Sequence, residues 1–284
     1  MCFRCLSGRS LTLAALAVFP VFAAPDALRV CADPNNLPFS NQRGEGFENQ
    51  IASVLARDLH TKVEFVWWKG HHGSIKHTLD ENLCDVLMGV PTGADDVSLT
   101  SPYYRSSYVF VSRQDRGLHL VSLNDRRLEH LRIGIQMAGD DFAPPAAALA
   151  HRGVTGNVVG YSLFGAYGEA NPAARLIDAV AKGDIDIAIA WGPLGGYFAK
   201  HAAAPLVVTP VSPASYGAVP FVFDMAVGVR KGDGALLASL NAALVRNCAA
   251  IRSILDEFGI PRAPGGEGSH LCEASPRSRA ASLH

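Results

Sequence analysis

The sequence lacks an excess of charge of either sign. Lys and Arg number 25 against 26 Asp and Glu, a formal net charge of −1. No summed positive field is therefore available to hold a polyanion by phosphate neutralisation, and a nucleic-acid role is excluded. Charge of any kind is sparse at 18%, while apolar residues make up 49%, a balance that excludes a disordered, collagen-like or coiled-coil chain. Also missing is an apolar run of the roughly 20 residues that a membrane-spanning helix requires. The run from Leu11 to Phe22 falls short of it. No Gly-x-Ser-x-Gly, paired Cys-x-x-Cys or phosphate-cradling Gly-rich loop occurs, so the usual hydrolase, paired-cysteine metal and nucleotide signatures are absent. The single Cys-x-x-Cys, Cys2 to Cys5, lies ahead of the apolar run Leu11 to Phe22. His71, His72 and His77 are close in sequence but match no structural-zinc spacing, and read as a solvated loop segment and one helix residue.

What is present begins with a leader. Arg4 and Arg9 precede Leu11 to Phe22, and the small residues Ala23 and Ala24 follow. This order predicts a secretory signal peptide over 1–23 and an exported, periplasmic protein that is not embedded in the membrane. Four cysteines lie beyond it, Cys31, Cys84, Cys248 and Cys272, and an even count in an oxidising compartment predicts disulfides.

At 284 residues the chain has room for two lobes of about 100 to 150 residues each. Leu28 to Ala32 reads as a strand, followed by the turn-rich Asp33-Pro34-Asn35-Asn36-Leu37-Pro38. Phe47, Ile51, Val54, Leu55 and Leu59 then form the stripe of an amphipathic helix. Strands at Val63 to Trp68 and Cys84 to Gly89 flank a predicted helix at Ser74 to Glu81, an alternation that implies a parallel sheet with right-handed crossovers. A strand at Tyr103 to Ser112 follows, and the pattern restarts at Leu131 to Ile135. It continues through a helix at Ala146 to His151, a strand near Val158, a helix at Ala173 to Lys182 and the apolar strand Ile185 to Ala190. Gly192 to Gly196 reads as the turn after that strand. Strands at Val207 to Val211 and Asp224 to Arg230 lead into one long predicted helix, Gly234 to Phe258, ended by Gly259 and Pro261. In a doubly wound sheet the first and third strands are neighbours, which favours Cys31 with Cys84. Cys248 either joins Cys272 or is a free, buried small residue.

Gly44 to Glu48 opening a helix after Pro38-Phe39, LTSPYYRSSYVFVSR at Leu99 to Arg113, and RIGIQ at Arg132 to Gln136 together resemble the two-lobed periplasmic solute-binding proteins that bind amino acids. CADPNNLPFSN (Cys31 to Asn41), CDVLMGVPTG (Cys84 to Gly93) and IDIAIAWGPLGGYFA (Ile185 to Ala199) are similar, more narrowly, to the quinoprotein-dehydrogenase-associated branch. These are the MxaJ/XoxJ-like J proteins, encoded beside methanol or related alcohol dehydrogenases that use pyrroloquinoline quinone (PQQ). The resemblance implies an α/β, two-lobed periplasmic solute-binding protein fold (type II), each lobe a mostly parallel sheet flanked by helices. Lobe 1 would comprise 24–112 and 225–263, lobe 2 113–224, and 264–284 a flexible tail. The chain would cross between lobes near Ser112 to Arg116 and again near Val219 to Met225. Implied partners are the PQQ-dependent dehydrogenase, its c-type cytochrome and an unknown small molecule, with no cofactor of the chain's own.

The sequence departs from the amino-acid receptors at both charge clamps. Thr92-Gly93-Ala94-Asp95-Asp96 stands where the carboxylate-binding Arg would be, and Trp191-Gly192 where the ammonium-binding Asp would be. Burying a zwitterion without partners costs several kcal/mol, so an amino acid is a poor ligand. The residues expected to face the cleft are Asp33, Asn36, Phe39, Trp67 or Trp68, Thr92, Tyr103, Tyr104, Arg105, Gln136, Asp140 with Asp141, and Trp191. Trp191 is either a stacking wall or a plug of an unused cleft. Arg105 is either a cation for an anionic ligand or the ion-pair partner of Asp95 or Asp96. Asp140 and Asp141 fall where N-caps of the next helix belong. Three functions follow: an accessory protein that assists maturation or activation of the dehydrogenase, a transport receptor for a small non-amino-acid ligand, and an enzyme. The last has only Asp33, Glu45, Asp140 and Asp141 as acids and no nucleophile-base pair, so no catalytic activity is expected.

Overall fold

The computed structural model describes residues 26–68, 78–165 and 169–264. The predicted signal peptide, His71, His72, His77 and Cys272 lie outside the described residues. The first lobe grows from β1 (Ala27–Ala32), whose Leu28 and Val30 turn inward. The apolar stripe of α1 (Phe47–Asp58) packs over it, with Phe47, Ile51, Val54 and Leu55 all buried. Its N-cap is Gly46, a position that requires glycine because any Cβ there would overlap the Phe39 carbonyl oxygen. β2 (Lys62–Trp67) and β3 (Val86–Pro91) run parallel to β1 on its two sides. That order brings Cys84 beside Cys31, and the two are disulfide-bonded with Cα atoms 5.6 Å apart. Cys248 is disulfide-bonded as well, while its expected partner Cys272 is outside the described residues.

The chain continues through β4 (Tyr104–Arg113), β5 (Ile133–Ala138), α2 (Pro145–His151), β6 (Val158–Ser162), α3 (Arg175–Lys182), β7 (Ile187–Trp191), α4 (Gly192–Lys200), β8 (Leu206–Pro210) and β9 (Val222–Val229). β6, β5 and β7 are parallel neighbours and form the core of the second sheet. β4 joins the two sheets. Its residues Tyr104 to Ser107 pair antiparallel with β9, and Tyr108 to Ser112 pair antiparallel with β7. The change of sheet thus falls inside β4, ahead of the crossing expected at Ser112 to Arg116. Nearly every residue of this strand is buried, so it runs unbroken through both lobes, and the first break signal comes only at Gly117.

Three predicted elements differ from the structure. The helix expected over Gly234 to Phe258 is two, α5 (Gly234–Arg246) and α6 (Cys248–Glu257), bent by 71°. At the bend, Asn247 Nδ2 donates to Asp58 Oδ1 and to the Ala243 carbonyl, both at 2.9 Å. A straight helix of this length would extend about 37 Å, whereas the bend lets both halves wrap lobe 1 and bury Leu240, Leu244, Ile251 and Leu255. Gly192 to Gly196 is the first part of α4 and not a turn. Pro193 suits a helix start, and Gly196 permits close approach, since a Cβ would overlap the Gly259 carbonyl oxygen. The described end of the helix expected at Ser74 to Glu81 is turn from Thr78 onward. Among the described residues no single helix is long and apolar enough to cross a membrane.

One apolar cluster fills lobe 1 around Phe47, Ile51 and Val227. Two others cover opposite sides of the second sheet, around Phe110, Ile133 and Ile189 and around Val109, Ile177 and Ala188. Their boundary with lobe 1 positions the candidate site.

Candidate functional site

β1 and β3 end side by side, and the loop from Asp33 folds back over α1's first turn. Between these elements lies a cavity of about 370 Å³ lined by Cys31, Ala32, Asp33, Asn36, Ser40, Glu48, Trp68, Thr78, Leu87 to Pro91 and Ala94. All of these belong to lobe 1. Among the described residues that line it there is no Lys or Arg.

Glu48 is the chemically distinctive wall residue. Tyr103 donates its hydroxyl hydrogen to Glu48 Oε1 at 3.3 Å and accepts from the Gly89 N–H at 3.0 Å. Gly89 has a φ of +65° inside β3, next to a register irregularity in the β3–β9 ladder. A Cβ there would overlap Glu48 Oε1, so glycine supplies both the left-handed backbone and the space for the carboxyl. Burial pushes the Glu48 carboxyl up from 4.5 to about 7, against the opposing hydrogen bond from Tyr103. Burial also raises the Tyr103 and Tyr104 hydroxyls well above their usual range, with the nearby Glu48 charge adding to it. The Tyr104 hydroxyl has no hydrogen-bond partner among the described residues.

Of the residues expected in the cleft, Asp33 and Asn36 line this cavity. Asp33 Oδ1 accepts from the Asn35 N–H at 2.7 Å. Of the two tryptophans, Trp68 lines the cavity, whereas Trp67 stacks on Phe65 with ring centroids 5.3 Å apart. Tyr103 stands behind the wall, and Tyr104 is in the lobe 1 core. Phe39 packs between lobe 1 and the third cluster. Thr92 is exposed, its N–H donating to the Asp224 carbonyl at 2.8 Å.

Of the remaining four, three are tied into the fold. Arg105 pairs with Asp224, Nη1 to Oδ2 at 2.6 Å, and not with Asp95 or Asp96. The cause is register, because Arg105 and Asp224 face each other across the β4–β9 ladder. Gln136 Oε1 accepts the Trp191 N–H at 2.7 Å, fastening the end of β7 to β5. Trp191 sits between Tyr108 and Phe223, with ring centroids 5.5 and 5.7 Å away, and touches all three apolar clusters. Asp140 is exposed and caps no helix. Asp141 pairs with Ala138 in a short antiparallel ladder, and α2 begins only at Pro145, after Pro144. Two successive prolines set the helical φ there without a side-chain cap.

Sequence reasoning missed Glu48, Ser40, Thr78 and Gly89. Glu48 carries the common signal of an acid in a helix's first turn, which hides any other role. Gly89 could have been found, since an isolated glycine within an apolar strand signals a bulge.

The sequence matches a known protein family over most of its length. Its profile, for bacterial extracellular solute-binding proteins, family 3, matches residues 28–251. The chain is a member of this family. Within it, the chain is 35% identical over 262 residues to Protein MoxJ of Methylorubrum extorquens, covering 85% of this chain and 84% of the relative. It is 33% identical over 278 residues to Protein MoxJ of Paracoccus denitrificans, covering 92% and 98%. The crystal structure of the periplasmic binding protein XoxJ from Methylobacterium extorquens superimposes with a TM-score of 0.69 at 33% identity, covering 84% of this chain and all of that one. The chain therefore stands with the MxaJ/XoxJ-like proteins of the solute-binding family.

Proposed function

We propose that the protein is a periplasmic, non-catalytic accessory protein of a PQQ-dependent methanol or alcohol dehydrogenase, which it assists in maturation or activation. The supporting observation is the use made of the polar groups at the lobe junction. Arg105 is engaged by Asp224 and Gln136 by the Trp191 backbone, so the groups a receptor would offer to a charged solute instead secure the protein itself. Similarity to MoxJ and XoxJ over most of the chain supports the same reading. The dehydrogenase, with its c-type cytochrome, is the partner in this account, and the protein's surface carries the interaction.

The test is co-purification of the exported protein with a PQQ-dependent alcohol dehydrogenase from the same periplasm, together with a dehydrogenase assay in strains with and without this gene. A complex, or activity that depends on the gene, is the expected result. Loss of the gene with neither effect refutes the proposal. The lobe 1 cavity favours a second reading, a receptor for a small ligand other than an amino acid, with Asp33, Asn36 and Glu48 as its polar contacts. A thermal-shift screen tests it, since a ligand binding only the folded state raises its stability.

A further inference from the structure

The segment after β1 does not stay within its own lobe. Asn35–Asn36 and Ser40–Asn41 pair as a short antiparallel hairpin, with the Phe39 N–H donating to the Asn36 carbonyl at 2.8 Å. One side of the hairpin is fastened to lobe 1. The N–H groups of Phe47 and Glu48 donate to the carbonyls of Pro38 and Phe39 at 2.8 and 3.0 Å, and the Asn41 N–H donates to Asn49 Oδ1 at 3.0 Å. Phe47 and Glu48 are among the helix-start donors that lack an intrahelical acceptor, so the hairpin completes α1 and shares its rigidity.

The hairpin's tip belongs to the other lobe. Leu37, 6% exposed, enters the apolar cluster that Val109, Val111, Leu176, Ile177 and Leu194 build in lobe 2. Beside it, Asn35 Nδ2 donates to the Glu169 carbonyl at 2.7 Å, and Asn35 Oδ1 accepts from the Asn171 N–H at 3.3 Å. One amide side chain thus serves a donor and an acceptor of the lobe 2 backbone. The receiving segment is itself held in place. Arg175 Nε donates to the Pro172 carbonyl at 3.0 Å, and Arg175 Nη2 donates to the carbonyls of Ser162 and Phe164 at 3.2 and 2.8 Å.

We infer that the hairpin is a built-in latch that holds the two lobes in one arrangement without a ligand, so that the protein is a rigid body and not a clamshell that closes on a solute. A ligand moves a two-state equilibrium only by its differential affinity for the two states. Here the chain itself supplies contacts between the lobes, with Leu37 and Asn35 of the hairpin adding to the packing of Trp191 and of Tyr197 on Phe258, and separating the lobes would expose an apolar side chain together with its socket. Hinge closure, the usual response of two-lobed binding proteins, has no open state to start from. The inference concerns the lobes alone and is independent of the dehydrogenase reading.

Spin labels at Lys62→Cys in lobe 1 and His151→Cys in lobe 2, both exposed positions, report the interlobe distance by electron double resonance in the full exported protein. One narrow distribution is expected, broadening or lengthening in Asn35→Ala/Leu37→Ala. A broad or two-peaked distribution in the unaltered protein overturns the latch, and so does a folded double variant whose distribution is unchanged. Asn35→Ala alone keeps the Leu37 anchor and guards against a double variant that does not fold. In it the Asn171 amide is expected to exchange about tenfold faster while β5 and β7 amides keep their protection. Unchanged exchange at Asn171 also overturns the latch.

Discussion

Glu48 gives the protein a pH dependence opposite in sign to that of its arginine-paired acids. Burial holds its carboxyl at about 7, against 4.5 for an ordinary glutamate, so the folded state prefers the neutral form and the unfolded chain ionises first. The group's contribution is fully retained below about pH 4.5 and is lost as pH rises toward and through 7. A difference of this size corresponds to at most about 3 kcal/mol, since each pKa unit is worth about 1.4 kcal/mol. The acids held below their usual range, Asp58 beside Arg246, Asp125 beside Arg127 and Asp186 beside Arg132, act in the reverse direction. Their contributions are lost as pH falls below the ordinary carboxylate range, outside the window in which Glu48 titrates.

Glu48→Gln isolates this effect, because glutamine keeps the shape and the acceptor facing Tyr103 but has no proton to lose. Urea unfolding of both proteins at pH 5, 6, 7 and 8 gives the stability difference at each pH. Histidines and other groups shared by the two proteins cancel in that difference. The variant is expected to gain on the unaltered protein as pH rises, by about 2.5 kcal/mol between pH 5 and 8. Any cost of placing an amide at this position displaces the whole curve without changing its slope. Two parallel stability curves would refute the reasoning, because they would mean that Glu48 ionises equally in the folded and unfolded states.

Replacing Cys31 and Cys84 together by serine removes a cross-link between residues separated by 53 in sequence. The loop-entropy relation gives a cost of about 4 kcal/mol, read as a lower urea midpoint. A double-mutant cycle on Arg105→Ala and Asp224→Asn, measured by urea unfolding, should return a coupling of about 1–2 kcal/mol, since each residue faces the other in a half-buried ladder position. Gly196→Ala should destabilise by about 1–3 kcal/mol in the same assay, because the added Cβ meets the Gly259 carbonyl, which has no rotamer with which to yield.

How much of this was legible in the sequence depended on distance along the chain. The strand runs Leu28 to Ala32 and Ile185 to Ala190 and the stripe of α1 repeat within a few residues, and periodicity reads such patterns directly. Adjacency of the first and third strands then brought Cys31 to Cys84. The partner of Arg105 is 119 residues away, and the sequence offers only nearby Asp95 and Asp96 or a ligand, because no local rule links β4 to β9. Proximity misled in the same way at Gly192 to Gly196, where the glycines answer to Gly259 and Val109 and not to a local turn. Asn247 breaks the last helix through Asp58, again a distant residue.

The same distant pairings account for how this chain departs from an amino-acid receptor. A receptor leaves charges at its lobe junction so that the ligand completes them, and its lobes then move with occupancy. In this chain β4 and β9 carry Arg105 and Asp224 opposite each other, so the opposite charges are matched within the fold. Trp191, set by Gln136, fills space between three apolar clusters where a receptor would present an acid to the ligand. A charged solute at this junction would have to displace an ion pair already at 2.6 Å. The cavity around Glu48 escapes this constraint because its described lining comes from lobe 1 and does not include the ion pair, although Asn36 and Ser40 of the hairpin that reaches lobe 2 are part of that lining.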